Sequence, residues 1–335
     1  MQSNGPECLP IDASSRESGE LASKIAALSE ANRSKLDPTV ERELLRLRHE
    51  SFLDRRGGNV ADVRAHTPSA PPVPLDATVG LAVAHTLPNA AVVRSTIQTH
   101  GSLVVRGLVR GPALARLTNA VESSLGARER ALSGAEPAGT SPWYSEFAPL
   151  KQADARAFTA SSGVLAADSP RGVFELVEIF REVGIAELAT DFLGGRPVIS
   201  AEKSVFRRVE PTLYASWHQD GAFLGENIRT LDVWIALSPC GKTAPSLEIL
   251  PRRVSRILPT GAFFSWDLDD KEIEKEFPGF TTVLAQFEPG DAILFDQLCV
   301  HRSGHAAGMT APRLAIECWL FAAESVPEGY TGLVL

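Results

Sequence analysis

The sequence predicts an α+β protein in which helices buttress a β-barrel or jelly roll, and three observations carry that expectation. From Val198 onward the chain breaks into eight short β-rich runs separated by turn residues within about 125 residues. Before that point apolar residues recur at helical spacing. Two of the late runs alternate between an aliphatic face and a face that mixes charge with tryptophan. With 335 residues, 44% hydrophobic and 22% charged, the chain can bury one substantial core.

Taken in order, residues 1–20 are polar and aperiodic and are expected to be disordered or loosely attached. Helices are expected over Glu20–Ser34 and Asp37–Arg55, the second with Val40, Leu44, Leu47 and Phe52 on one stripe and Gly57-Gly58 at its end. Thr67–Pro74 holds four prolines in eight positions and reads as an extended connector. Next come a helix over Pro88–His100, a strand over Ser102–Arg106 and a helix over Pro112–Ala131. Residues 134–170, rich in Gly, Ser, Ala and Pro around Trp143, Tyr144 and Phe147, read as a binding loop or lid, or else as a partly disordered insertion. A helix over Val173–Phe192 is closed by Gly194-Gly195. The strands follow at Ser204–Val209, Trp217–Asp220, Thr230–Leu237, Leu247–Leu250, Thr281–Phe287, Ala292–Asp296, Cys299–Arg302 and Arg313–Ala322. This divides the chain into a tail, helical arm and Pro-rich linker over 1–75 and one catalytic unit over 76–335, its β core at about 198–323.

Composition narrows the function. A net charge of −8 argues against nucleic acid, whose phosphates favour a basic surface. No apolar run reaches the ~18 residues of a membrane span. The start of the chain lacks the basic and apolar stretches of a secretory signal. Cys8, Cys240, Cys299 and Cys318 are too scattered for a disulfide scaffold or zinc knuckle, so reduced thiols and a cytoplasmic location are expected. The expected partner is a small-molecule substrate, and the chain is expected to be a monomer or homodimer.

In Thr230–Leu237, Leu231, Val233, Ile235 and Leu237 face one way, and Thr230, Asp232, Trp234 and Ala236 the other. In Arg313–Phe321, Leu314, Ile316, Cys318 and Leu320 oppose Arg313, Ala315, Glu317 and Trp319. The mixed faces suit the lining of a ligand-holding barrel.

The sharpest motif is Trp217-His218-Gln219-Asp220-Gly221. On a strand, His218 and Asp220 at i and i+2 would present an imidazole and a carboxylate to one ion. His301 lies beyond a Pro289-Gly290-Asp291 turn and a buried strand, which can return a third ligand. Two histidines and a carboxylate with open positions form the facial triad of non-haem Fe(II) oxygenases, able to take a 2-oxo acid and then O2. Twelve residues further, Arg313 can hold the far carboxylate of 2-oxoglutarate by paired charge-assisted bonds, with the hydroxyl of Ser303 as a third donor. His305 reads as a loop histidine. Lys203, Arg207 and Arg208 read as surface or structural charges, with contact to an acidic group as the alternative. Tyr214 and Phe223 either line the pocket or pack.

These motifs, WHQDG, DVWIALSP, LEILP, PGDAILFD and HRSG followed by PRLAIECW, resemble in order the phytanoyl-CoA dioxygenase family of Fe(II)/2-oxoglutarate-dependent oxygenases. With GSLVVRGLV near residue 105, the resemblance spans about 85–325. It implies a double-stranded β-helix, a cupin-like jelly roll, with an α-helical amino-terminal half. It implies Fe(II), 2-oxoglutarate and O2 as cofactors. It makes His218, Asp220 and His301 the iron ligands, Arg313 and Ser303 the 2-oxoglutarate anchor, and Trp234 a neighbour of the cosubstrate. The implied reaction is hydroxylation, desaturation or ring closure of a natural-product or acyl-type molecule, with release of succinate and CO2. Related halogenating oxygenases have a small residue in place of the iron-bound carboxylate, so Asp220 argues against chlorination. Where relatives commonly read Pro-Gly-Ser-His, this chain has Pro251-Arg252-Arg253-Val254, which puts the usual substrate contacts in doubt. The alternatives are a cupin-like non-redox lyase or isomerase, which has no use for Arg313, and a ligand-binding pseudoenzyme.

Overall fold

The computed structural model describes residues 13–54, 70–137, 139–152, 154–212, 215–225, 228–261 and 266–335. The helices are α1 (Ala13–Ser34), α2 (Pro38–Leu53), α3 (Ala90–His100), α4 (Gly111–Leu132), α5 (Ala155–Thr159), α6 (Pro170–Glu182), α7 (Ile185–Leu193), α8 (Gly221–Leu224) and α9 (Asp270–Glu276). The early strands are β1 (Leu75–Asp76), β2 (Leu81–Ala84), β3 (Ser102–Val105), β4 (Gly163–Leu165), β5 (Pro197–Ser200) and β6 (Val205–Val209). The middle strands are β7 (Trp217–His218), β8 (Leu231–Ala236), β9 (Ser246–Ile249), β10 (Asp267–Leu268) and β11 (Val283–Leu284). The last are β12 (Ala292–Phe295), β13 (His301–Gly304), β14 (Arg313–Ala322) and β15 (Gly332–Val334).

Two sheets form the expected jelly roll. The larger runs β1-β2-β3-β12-β8-β14-β5-β15, with β6 bridging β4 and β14, and the smaller runs β10-β7-β13-β9-β11. All pairings are antiparallel except β2 with β3. The alternation read from sequence sets the layers. Leu231, Val233, Ile235, Leu314, Ile316, Cys318 and Leu320 join one cluster with apolar residues of α3, α4, α6 and α7. Each buried aliphatic side chain there contributes roughly 1.5–3 kcal/mol. The opposite face of the same strands turns toward the smaller sheet, where Trp234, Ala236 and Ala315 join a second cluster with Leu247 and Ile249.

Several boundaries differ from expectation, each for a local reason. The helix expected over Val173–Phe192 is two helices, broken where Gly184 takes a left-handed φ of 82°. Part of the tail expected to be loose is helical from Ala13, and residues 1–12 lie outside the described part. The larger sheet also extends past 198–323, because β3 pairs with β12 and β15 pairs with β5. The Pro-Gly-Asp turn before β12 requires its glycine: Gly290 has φ 88°, and a Cβ there would meet the Val109 carbonyl oxygen at 2.0 Å.

The amino-terminal arm is fastened to the end of the chain. Arg48, buried in α2, donates from Nη1 to the Val334 carbonyl at 2.7 Å, and Phe52 packs with Val198, Phe321 and Val334. Buried Glu41 pairs with Arg171 at 2.7 Å. No helix among the described residues is long and apolar enough to cross a membrane.

Candidate metal centre and its pocket

The two sheets enclose a cavity of about 440 Å³. His218, Leu247, His301 and Ser303 reach it from the smaller sheet, and Asp232, Trp234, Glu317 and Trp319 from the larger. Phe158, Phe223 and Trp266 add aromatic wall.

His218, Asp220 and His301 converge there, with one ligand atom from each lying within 4.8 Å of the others. Backbone pairing sets the approach, because His301 on β13 is in register with His218 on β7. The ring centroids are 4.4 Å apart. Asp220 arrives by a different route from the one expected. The strand ends at His218, and Asp220 has helical φ and ψ of −62° and −26°, at the head of α8. That turn, not strand alternation, brings its carboxylate to 3.7 Å from His218 Nε2.

The chemistry of the three groups suits a divalent cation. His218 Nδ1 lies 3.0 Å from the Ser216 carbonyl oxygen, and His301 Nδ1 lies 3.2 Å from that of Cys299. A carbonyl can only accept, so each Nδ1 carries the proton and each Nε2 keeps its lone pair. Burial lowers the pKa of both rings; with His218 alongside, His301 falls to about 3, so both are neutral near pH 7. Both Asp220 oxygens are buried without a donor among the described residues, save the neighbouring carboxyl of Asp232. Burial, and then the charge of Glu317, push Asp220 well above the usual carboxylate range. A buried carboxylate left in that state is costly unless a cation joins it. The set of two imidazoles and one carboxylate fits Fe(II).

Arg313 lies at the other end of the pocket-facing row of β14 and is fully buried. Its Nη2 donates to Ser303 Oγ at 3.2 Å, while Nε and Nη1 donate to no described acceptor. The guanidinium stacks 5.4 Å from the Trp234 ring. Arg313, Ser303 and Trp234 are therefore brought together, with two donors to spare for a planar carboxylate.

Some assignments change. Lys203 and Arg207 line the cavity, whereas half-exposed Arg208 reaches Glu129 at 3.6 Å. Arg207 pairs with Glu317 at 2.8 Å and donates to Ser162 Oγ at 2.6 Å. The Lys-x-x-x-Arg spacing leading into β6 was visible, but nothing in it distinguished pocket from surface. Phe223 lines the cavity, Tyr214 lies outside the described residues, and His305 is exposed just past β13. Residues 134–170 divide: Tyr144 and Phe147 are buried in the main core, while Phe158, Thr159, Ser161 and Ser162 reach the cavity. The Arg252-Arg253 departure is absorbed structurally. Arg253 Nη1 reaches both Asp296 oxygens, at 2.8 and 2.6 Å, and Arg252 lies over Phe277.

A family model described as phytanoyl-CoA dioxygenase matches residues 97–311. Among solved structures, EctD from S. alaskensis with bound Fe is similar in fold, at 17% identity and a TM-score of 0.50 over 75% of this chain and 83% of that one. AviO1 from Streptomyces viridochromogenes Tue57 shares 21% identity over 73% of this chain and 99% of that one, with a TM-score of 0.45. The epimerase SnoN, in complex with Fe3+, alpha ketoglutarate and nogalamycin RO, shares 15% over 70% and 83%, with a TM-score of 0.46. A comparison with curated proteins finds no match.

Proposed function

The chain belongs to the phytanoyl-CoA dioxygenase family, and on that premise we propose that it is an Fe(II)/2-oxoglutarate-dependent oxygenase acting on a small molecule. The observation that carries this reading is the convergence of His218, Asp220 and His301 on one cavity whose wall also holds Ser303 and Trp234, the two residues contacted by a buried arginine with unused donors, Arg313. The two imidazole Nε2 atoms and the Asp220 carboxylate would hold the iron. Arg313 and Ser303 would hold the far carboxylate of 2-oxoglutarate, with Trp234 beside it. Bound there, iron and cosubstrate supply an oxidant for an unactivated C–H bond, O2 being consumed and succinate and CO2 released.

The chain's own residues position and protect. The Ser216 and Cys299 carbonyls fix both imidazole tautomers. The aromatic wall offers surface to the apolar body of a substrate. Asp220 fills the carboxylate position, so oxygenation or desaturation is expected and chlorination is not. Arg313 also weighs against a non-redox lyase, since its spare donors would then face nothing.

A screen of small molecules for succinate formation coupled to a product heavier by one oxygen, or lighter by two hydrogens, tests the proposal. Turnover without 2-oxoglutarate would refute it.

A further inference from the structure

Lys203 sits in the turn between β5 and β6 and points its ammonium into the cavity. The Nζ lies 4.3 Å from the centre of the Phe223 ring, 5.3 Å from Phe158 and 5.7 Å from Trp319. These π faces stabilise the cation in part but accept none of its hydrogens strongly. Among the described residues no carboxylate stands within ion-pair reach of it, and no acceptor within hydrogen-bond reach.

Apart from Asp220 of the metal centre, whose oxygens meet no described donor and whose charge is the one that acts most on Lys203, the charged groups of the cavity wall are engaged. Arg207 pairs with Glu317. Glu202 accepts the Lys151 and Thr331 backbone N–H groups at 3.1 and 2.8 Å. Asp232 accepts from Thr230 Oγ1 at 2.9 Å. Part-buried Lys203 presents a charge with donors free among the aromatic rings of the cavity.

Lys203 and Arg313 border different stretches of β14. Trp319, which flanks Lys203, is six residues beyond Arg313 on the same face, roughly 20 Å between backbones at about 3.3 Å per residue, and the Arg313 guanidinium reaches back as far as Glu317, its Nη2 lying 4.0 Å from Oε1. The Glu317–Arg207 pair stands between the two cations along the strand. The metal ligands lie nearer the Lys203 end, since Asp220 adjoins Asp232 and Asp232 is in register with Trp319.

We propose that Lys203 anchors the primary substrate, a small organic acid whose carboxylate meets the ammonium while its apolar body lies against Phe223, Trp266 and Trp319. This rests on the oxygenase reading for the identity of the substrate site, though not for the recognition itself. A neutral analogue would leave the ammonium without an anionic partner, so the preference for the acid is built into the cavity.

The probes are 3-phenylpropionate and cyclohexanecarboxylate, each with its primary amide, titrated calorimetrically into the full chain without oxygen. Titrations are run with and without Fe(II) and 2-oxoglutarate, on wild type, Lys203→Met and Lys203→Arg. At least one acid should bind roughly tenfold or more tighter than its amide. Lys203→Met should erase that preference and Lys203→Arg retain most of it, with 2-oxoglutarate affinity unchanged in both. Equal binding of acids and amides, or a preference that survives in Lys203→Met, overturns the inference. So does a parallel loss of 2-oxoglutarate affinity, which would assign Lys203 to the cosubstrate. If wild type binds no 2-oxoglutarate yet keeps a Lys203-dependent preference, the oxygenase reading fails and the anion site stands.

Discussion

The two sheets solve different problems. The larger is centred on two long strands, β14 with ten residues and β8 with six, every one of those residues buried or nearly so. Its outward face is aliphatic and packs on helices, and its inward face carries Trp234 and Glu317, with Arg313 over Trp234 and bonded to Ser303 of the facing sheet. In the smaller sheet β7, β10 and β11 have two residues each. Its metal-facing residues sit where regular pairing stops, His218 at the last residue of β7 and His301 at the first of β13. Long strands give rigidity and spacing, while strand ends let the backbone turn and aim several side chains at one point.

Removing a group from the smaller sheet should therefore abolish chemistry with little effect on the fold. His301→Ala is expected to lose stoichiometric Fe(II) binding and all turnover, read by metal analysis after anaerobic reconstitution, with an unchanged far-ultraviolet spectrum. Removing a group from the outward face of the larger sheet should do the reverse. Ile316→Ala is expected to cost about 2–5 kcal/mol in denaturant unfolding while Fe(II) affinity holds. Leu247→Ala should cost less, because its side chain borders an existing cavity.

The same contrast explains what the sequence revealed. The period-two alternation of β8 and β14 is long enough to read, and it placed Arg313, Trp234 and the aliphatic face correctly. Motif spacing singled out His218, Asp220 and His301, which the structure brings together, but strand alternation is not what aims Asp220: two residues of strand leave no pattern, and a helical turn supplies the orientation. The break at Gly184 was invisible to periodicity because the apolar stripe continues across it into α7. Lys203 reads from sequence as a surface or structural charge, with an acidic partner as the alternative, because a lysine beside a strand is ordinarily solvated; the rings of Phe158, Phe223 and Trp319, which gather around it, come from distant segments.

Two smaller effects sharpen the comparison. Arg313→Lys keeps the charge and loses the planar fork, so 2-oxoglutarate affinity should fall roughly tenfold or more while Fe(II) affinity persists. The metal-free protein should also show a pH signature of the smaller sheet. His301 has a folded pKa of about 3 against 6.5 when exposed, so as pH falls below 6.5 the unfolded chain takes up a proton that the folded one refuses. Stability falls with pH in that window by up to about 1.4 kcal/mol per unit for this one group. Asp220 and Asp232, raised by burial, act with the opposite sign above 3.8. The slope of wild type minus that of His301→Ala, from urea unfolding between pH 6.5 and 5, isolates the histidine and should be positive.

The most direct test is an anaerobic titration of Fe(II) and 2-oxoglutarate followed by visible absorption. If the metal is held by His218, Asp220 and His301 and the cosubstrate by Arg313 of the larger sheet with Ser303, wild type should develop a visible charge-transfer band only when both are present. His301→Ala should show none at any 2-oxoglutarate concentration, and Arg313→Lys should reach the same final band at a higher midpoint. A band that survives in His301→Ala, or that never forms in wild type, would contradict the account.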